Sequence, residues 1–135
     1  MAELRLCIDV DNLQRAVDFY TRALGLRVGR RRRDAWAELL GANVAIDLLT
    51  QAQGTAPVSG KGMVREYARH WTPVHFDVVV PNLEAAMAQA RAAGATLDRE
   101  VQVREWGQMA NMADPFGHGF CLIELRGKGY DEVPA

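Results

Sequence analysis

Cys7-Ile8-Asp9-Val10-Asp11-Asn12-Leu13-Gln14-Arg15-Ala16-Val17 and Asp77-Val78-Val79-Val80-Pro81-Asn82-Leu83-Glu84-Ala85-Ala86-Met87 are two versions of one pattern. Leu13 and Leu83 stand 70 positions apart, and the register holds along both stretches. Each copy is an apolar run, then Asn, then a helical pattern. Asn12 and Asn82 suit the N-cap, where a short side-chain oxygen accepts an orphan N–H of the first turn. Pro81 lacks a donor and restricts its neighbour, which delays the helix until Asn82. Leu13, Ala16, Val17, Tyr20 and Leu24 then recur at the 3.6-residue period, and so do Leu83, Ala86, Met87 and Ala90. Gly25 and Gly94 follow as helix stops, since a left-handed residue is favoured there.

Strand patterns complete each copy. Leu26–Val28, Ala35–Leu39 and Val44–Leu49 follow the first helix; Thr96–Leu97, Gly107–Met112 and Phe120–Leu125 follow the second. The sequence therefore predicts an α+β fold of two tandem βαβββ modules, at about 3–50 and 74–126. Residues 51–73 join them. That joint opens polar and Gly-rich, and its length is unusual inside a compact domain. A helical turn is expected near Met63–His70. At 135 residues and 14.9 kDa the chain is expected to be one domain built from two halves. Either half alone would bury only about 60 % of its surface and be marginal.

Composition narrows the partners. Sixteen Lys+Arg against seventeen Asp+Glu leave a net charge of −1, which supplies no field for a nucleic-acid backbone. No apolar run approaches the roughly 20 residues of a membrane span. The opening MAELRLCIDVDN has no signal-peptide h-region, and Cys7 and Cys121 form neither a disulfide framework nor a CxxC knuckle. A reduced, cytoplasmic protein is expected.

Three motifs resemble those of the vicinal oxygen chelate superfamily, which includes glyoxalase I, bleomycin-resistance proteins, extradiol dioxygenases and fosfomycin-resistance enzymes. They are Val10-Asp11-Asn12-Leu13 with Phe19-Tyr20 and Leu24-Gly25-Leu26; His75-Phe76-Asp77-Val78-Val79-Val80; and Asp114-Pro115-Phe116-Gly117-His118, similar to "D-P-x-G-N". The resemblance runs from Leu4 to Leu125. It implies a cup-shaped curved mixed sheet with helices outside and a small-molecule ligand within. It also implies a divalent metal in many members and a homodimer. Fold alone does not assign an activity.

Strand alternation sorts the side chains. Leu6, Ile8 and Val10 should pack on the first helix, leaving Arg5, Cys7 and Asp9 on the other face. Phe76, Val78 and Val80 should face the second helix, leaving His75, Asp77 and Val79. Phe120 and Leu122 are helix-facing, while Cys121 and Ile123 are not. Carried over residue by residue, the four metal-ligand positions implied by the resemblance are Arg5, Asp47, His75 and Cys121. Arg5 and His75 each stand eight residues before the matching leucine. Arginine is no ligand, and its charge repels a dication. No metal is therefore the favoured expectation. If zinc, nickel, manganese or iron were bound, Asp47, His75 and Cys121 would hold it, with an open fourth position. A dioxygenase needs a second histidine, and His70 and His118 are not at these strand positions.

The expected ligand pocket is Arg5, Cys7, Asp47, His75, Asp77, Trp106 and Cys121. Arg5 would replace the metal, pairing with Asp47 or holding an anionic ligand bidentately. Asp47 and Glu105 are the candidate general bases, although Glu105 also reads as a surface carboxylate. Cys7 and Cys121 read as small packed hydrophobes. Arg30-Arg31-Arg32-Arg33 reads as an exposed strand or hairpin whose arginines pair with acids. Glu124 is out of phase with Cys121, and Trp71 suits packing or a subunit contact. The expected function is small-ligand binding without the usual complete metal site. The alternatives are a metal-dependent glyoxalase-type lyase or isomerase and, ranked below both, a ligand-free dimeric scaffold.

Overall fold

A computed structural model describes residues 1–134. The chain forms two compact units, Met1–Ala68 and Arg69–Ala135. The boundary falls inside the 51–73 joint.

The first unit runs β1 (Arg5–Val10), α1 (Leu13–Leu24), β2 (Arg27–Arg32), β3 (Trp36–Leu40) and β4 (Ala45–Thr50). Its mixed sheet has the order β1-β4-β3-β2, with β1 parallel to β4 and the other pairs antiparallel. Both helix signals act as read: the Asn12 side chain accepts from the Arg15 N–H at 3.0 Å, and Gly25 closes α1 at φ 67°. The buried stripe of α1 adds Phe19 and Ala23 to Leu13, Ala16, Val17 and Tyr20. On the sheet, Ile8, Val10, Ala37, Leu39, Ile46 and Leu48 are buried with it. Burying an aliphatic side chain is worth roughly 1.5–3 kcal/mol, so this one-sided packing is what commits each strand to a single face.

The second unit runs β5 (Phe76–Val79), α2 (Leu83–Ala93), β6 (Thr96–Leu97), β7 (Gln102–Arg104), β8 (Gly107–Ala113), β9 (Gly119–Leu125) and a 3-10 turn at Gly129–Glu132. Its mixed sheet follows β5-β9-β8-β6, with β7 also on β8. Asn82 caps α2 by accepting from the Ala85 N–H at 2.9 Å, and Gly94 ends it at φ 118°. Leu83 and Ala90 are buried, whereas Ala86 and Met87 are half-buried. Phe76 and Phe120 stack at 5.6 Å on the helix side. Gly107 begins β8 at φ 148°, and a Cβ there would collide with the Glu124 carbonyl oxygen. Only glycine permits that closeness and that backbone conformation.

Two features differ from the sequence reading. β7 is an additional strand. It is an edge strand with Val103 63 % exposed, so it lacks the burial pattern that marks a strand in sequence. Met63–His70 forms no helical turn. Instead Gly54 donates to the Arg65 carbonyl at 2.9 Å and Arg65 donates back to Thr55 at 2.8 Å. The Arg65 guanidinium reaches Asp9 at 2.7 Å. These nonlocal bonds replace the i to i−4 bonds of a helix.

Since each Asn cap satisfies one orphan donor, Asn12→Ala and Asn82→Ala should each cost about 1 kcal/mol in urea unfolding. An unchanged midpoint in either variant would contradict the duplicated capping.

Candidate functional site

In the first unit, β1 alternation places Arg5, Cys7 and Asp9 on the face away from α1. Register aligns Cys7 with Asp47 and Asp47 with Glu38 across three neighbouring strands. Arg5 consequently meets both carboxylates. Its Nε donates to Asp47 Oδ2 at 2.8 Å, and its Nη2 donates to Asp47 Oδ1 at 2.8 Å and to Glu38 Oε2 at 2.7 Å. Arg30 donates to Glu38 from Nε at 2.9 Å and from Nη2 at 2.7 Å. The Trp36 indole N–H donates to Asp47 Oδ1 at 2.9 Å, and the Arg30 guanidinium lies 5.8 Å from the Trp36 ring.

Glu38 is only 4 % exposed. A carboxylate so placed stays charged because two guanidinium groups bind it. Hydrogen bonds from Arg30 and then Arg5 hold its pKa well below the usual carboxylate range. Asp47 is lowered first by its hydrogen bonds to Arg5 and further by that of Trp36, against the opposing effect of burial. Arg5 is raised in turn, first by Asp47 and then by Glu38. Two arginines and two acids thus form a balanced cluster. The sequence reading placed the Ala35–Leu39 strand but missed Glu38. The available signal was parity, since Glu38 alternates with the buried Ala37 and Leu39.

In the second unit, β5 and β9 bring Asp77 opposite Cys121. His75, immediately before β5, places Nε2 3.4 Å from Asp77 Oδ1. One ligand atom from each of His75, Asp77 and Cys121 lies within 4.8 Å of the others, so among the described residues this is the group of three that could hold a metal ion. Asn111 Nδ2 donates to the Cys121 sulfur at 3.3 Å. Burial first, and Asp77 next, push the Cys121 thiol up to about 11. It is therefore a protonated thiol at neutral pH unless a metal displaces the proton. Trp106 lies 5.2 Å from Tyr130, and His75 lies edge-on to Trp71 at 5.5 Å. Trp71 also donates to Asp98 at 2.7 Å and covers Gly119, where a Cβ would strike its ring.

The remaining candidates separate. Glu105 is exposed in the β7–β8 turn. Glu124 serves α2: it accepts from the Leu83 N–H at 3.0 Å and from Gln108 at 2.8 Å. A carboxylate at a helix N-terminus also matches the helix dipole. Cys121 is buried, but Cys7 is exposed, which corrects its reading as a packed hydrophobe. The physical reason is its place opposite Asp47 on the charged face of β1. Arg30 and Arg31 find carboxylates in Glu38 and Asp34, as a hairpin reading expects. A 460 Å³ groove runs along α2 beside Leu83, Met87 and Gln108 and contains none of His75, Asp77 or Cys121.

The metal-ligand positions implied by the resemblance do not all fit a dication. Arg5 is a permanent cation, and both Asp47 oxygens already accept its N–H groups. The donors that do fit are the three in the second unit.

Replacing Arg5 should expose the electrostatic role of the cluster. Glu38 and Asp47 are held below their unfolded values of about 4.3 and 3.9. Their contribution is fully present above those values and is lost as pH falls through the folded ones. The stability gap between wild type and Arg5→Met should therefore be larger at pH 7 than at pH 3 in urea unfolding. A gap independent of pH would contradict the pairing.

The comparisons with known proteins agree with this fold. A family model described as a glyoxalase-like domain matches residues 5–123. The fosfomycin resistance protein FosX from Listeria monocytogenes superposes with a TM-score of 0.71 at 13% identity, covering 96% of this chain and 97% of its own. A lactoylglutathione lyase from Agrobacterium tumefaciens gives 0.64 at 14%, covering 91% and 92%. TioX from Micromonospora sp. ML1 gives 0.64 at 20%, covering 91% and 95%. At these identities the likeness is one of fold. No curated protein matches the sequence. The chain belongs to the glyoxalase-like domain family, within the vicinal oxygen chelate superfamily.

Proposed function

We propose that the protein binds a small molecule, in the manner of glyoxalase/bleomycin-resistance-like proteins, without the usual complete metal site. The observation that carries this reading is Arg5 bound to Asp47 and Glu38. A guanidinium occupies the electrostatic role a dication would have, and it neutralises the acid that would have been a ligand. Arg5 uses Nε and Nη2 in the cluster. Its Nη1 has no hydrogen-bond partner among the described residues, so it can donate to an anionic ligand.

The same geometry disfavours catalysis by Asp47. A carboxylate with a lowered pKa is a weak base at neutral pH. Glu105 stands exposed in a turn, with no orienting partner among the described residues. Binding is the simpler account, in the cytoplasm and as a homodimer.

The second reading is a metal-dependent glyoxalase-type lyase or isomerase, favoured by the His75, Asp77 and Cys121 group. A metal there would act as a Lewis acid on a ligand oxygen. Asp77 and His75 would orient it, and Cys121 would have to surrender its proton. A dioxygenase ranks lower, because that group contains one histidine and no glutamate.

Untagged protein dialysed against a chelator and then metal-free buffer distinguishes the two. Elemental analysis should find far less than one tightly held ion per chain. Small carboxylates or phosphates should raise Tm in the dialysed wild type, since a ligand of the native state stabilises it. They should raise it less in Arg5→Met. About one zinc, nickel, manganese or iron per chain that survives dialysis and is lost in Asp47→Asn or His75→Gln would overturn the proposal.

A further inference from the structure

Asp114-Pro115-Phe116-Gly117-His118 ends in histidine where the motif it resembles ends in asparagine. The turn is tightly held. Asp114 Oδ1 accepts from the N–H groups of Phe116 at 2.8 Å and His118 at 2.9 Å, and the Asp114 N–H donates to the His118 carbonyl at 2.9 Å. The Gly117 carbonyl accepts from the His70 N–H at 2.9 Å and from Arg69 Nη1 at 3.0 Å. Two distant segments of the second unit are thereby fastened backbone to backbone. Their imidazoles meet at this junction. His118 Nδ1 lies 3.3 Å from His70 Nε2, with the rings at 85° and both half-buried.

We propose that His70 and His118 form a two-histidine site for a divalent first-row transition ion, separate from the His75, Asp77 and Cys121 group. Zinc–nitrogen bonds of about 2.0–2.1 Å in tetrahedral geometry place neighbouring ligand nitrogens roughly 3.3–3.4 Å apart. The observed separation matches that spacing. Both ring positions of histidine serve as metal ligands. The backbone bonds that hold His70 to Gly117 and His118 to Asp114 reduce the ordering cost of bringing the rings together. Half-burial leaves room for water or an external ligand to complete the coordination. Arg69 touches this junction, but Asp98 pairs with its guanidinium, which limits its repulsion of a cation. Imidazole donors select copper(II), nickel and zinc over manganese or magnesium. An ion held by two protein ligands exchanges readily and is removed by dialysis, so it does not enter the count of tightly held metal above.

The test is calorimetric titration of chelator-treated, then chelator-free, protein with copper(II), nickel, zinc and manganese chlorides. One ion per chain is expected, copper tightest and manganese weakest. His70→Gln and His118→Gln should each weaken copper binding by about tenfold or more. His75→Gln and Cys121→Ser should leave it unchanged. In wild-type protein, paramagnetic broadening of NMR signals by substoichiometric copper should centre on His70 and His118, which locates the ion without any variant. No binding, wild-type affinity in either Gln variant, or broadening centred on His75 and Cys121 would each overturn the site.

Discussion

The three-strand ion cluster of Arg5, Asp47 and Glu38 decides how the first unit can work. Glu38 sits in the middle of a sheet and is almost wholly buried. An ionised carboxylate at such a place requires charged partners, and a lone buried charge would instead neutralise itself. Arg5 and Arg30 supply those partners from strands on either side of the β4–β3 pair. The arrangement in turn consumes Asp47, which has no oxygen left without a donor. On the face of this sheet away from α1, both Asp47 oxygens are therefore already occupied by donors.

The second unit repeats the topology with different chemistry. Where the first places arginine against acids, the second places histidine, aspartate and a buried thiol. Its Cys121 is a protonated sulfur held by Asn111 rather than a ready thiolate. Its charged residues away from that face do structural work: Glu124 closes the start of α2, and Asp98 gathers Arg69 and Trp71. The duplication thus preserves the backbone solution while the residues opposite the helices diverge.

Legibility in the sequence followed the range of the interaction. Asn12, Asn82, Gly25 and Gly94 act within one helical turn, so residue type and spacing sufficed. Parity along β1, β5 and β9 was equally local, and it sorted Ile8 from Arg5 and Phe120 from Cys121. The Arg5–Glu38 contact was not legible, because it depends on the register of three strands. The same holds for β7, which pairs with β8 and whose Val103 is largely exposed. The resemblance implied Asp47, His75 and Cys121 as ligands only if a metal were bound. Within the second unit, the direct pairing of β5 with β9 sets Asp77 opposite Cys121, a neighbour that depends on register.

The Arg5 guanidinium stands at a position where the family resemblance implies a metal ligand, bound to Asp47 and Glu38. The most direct measurement is a crystal structure of protein soaked in millimolar zinc, with anomalous scattering recorded at the zinc edge. The expected result is Arg5 within about 3 Å of both Asp47 and Glu38, with no anomalous peak among them. A zinc ion bonded to Asp47, with Arg5 displaced from the cluster, would contradict it.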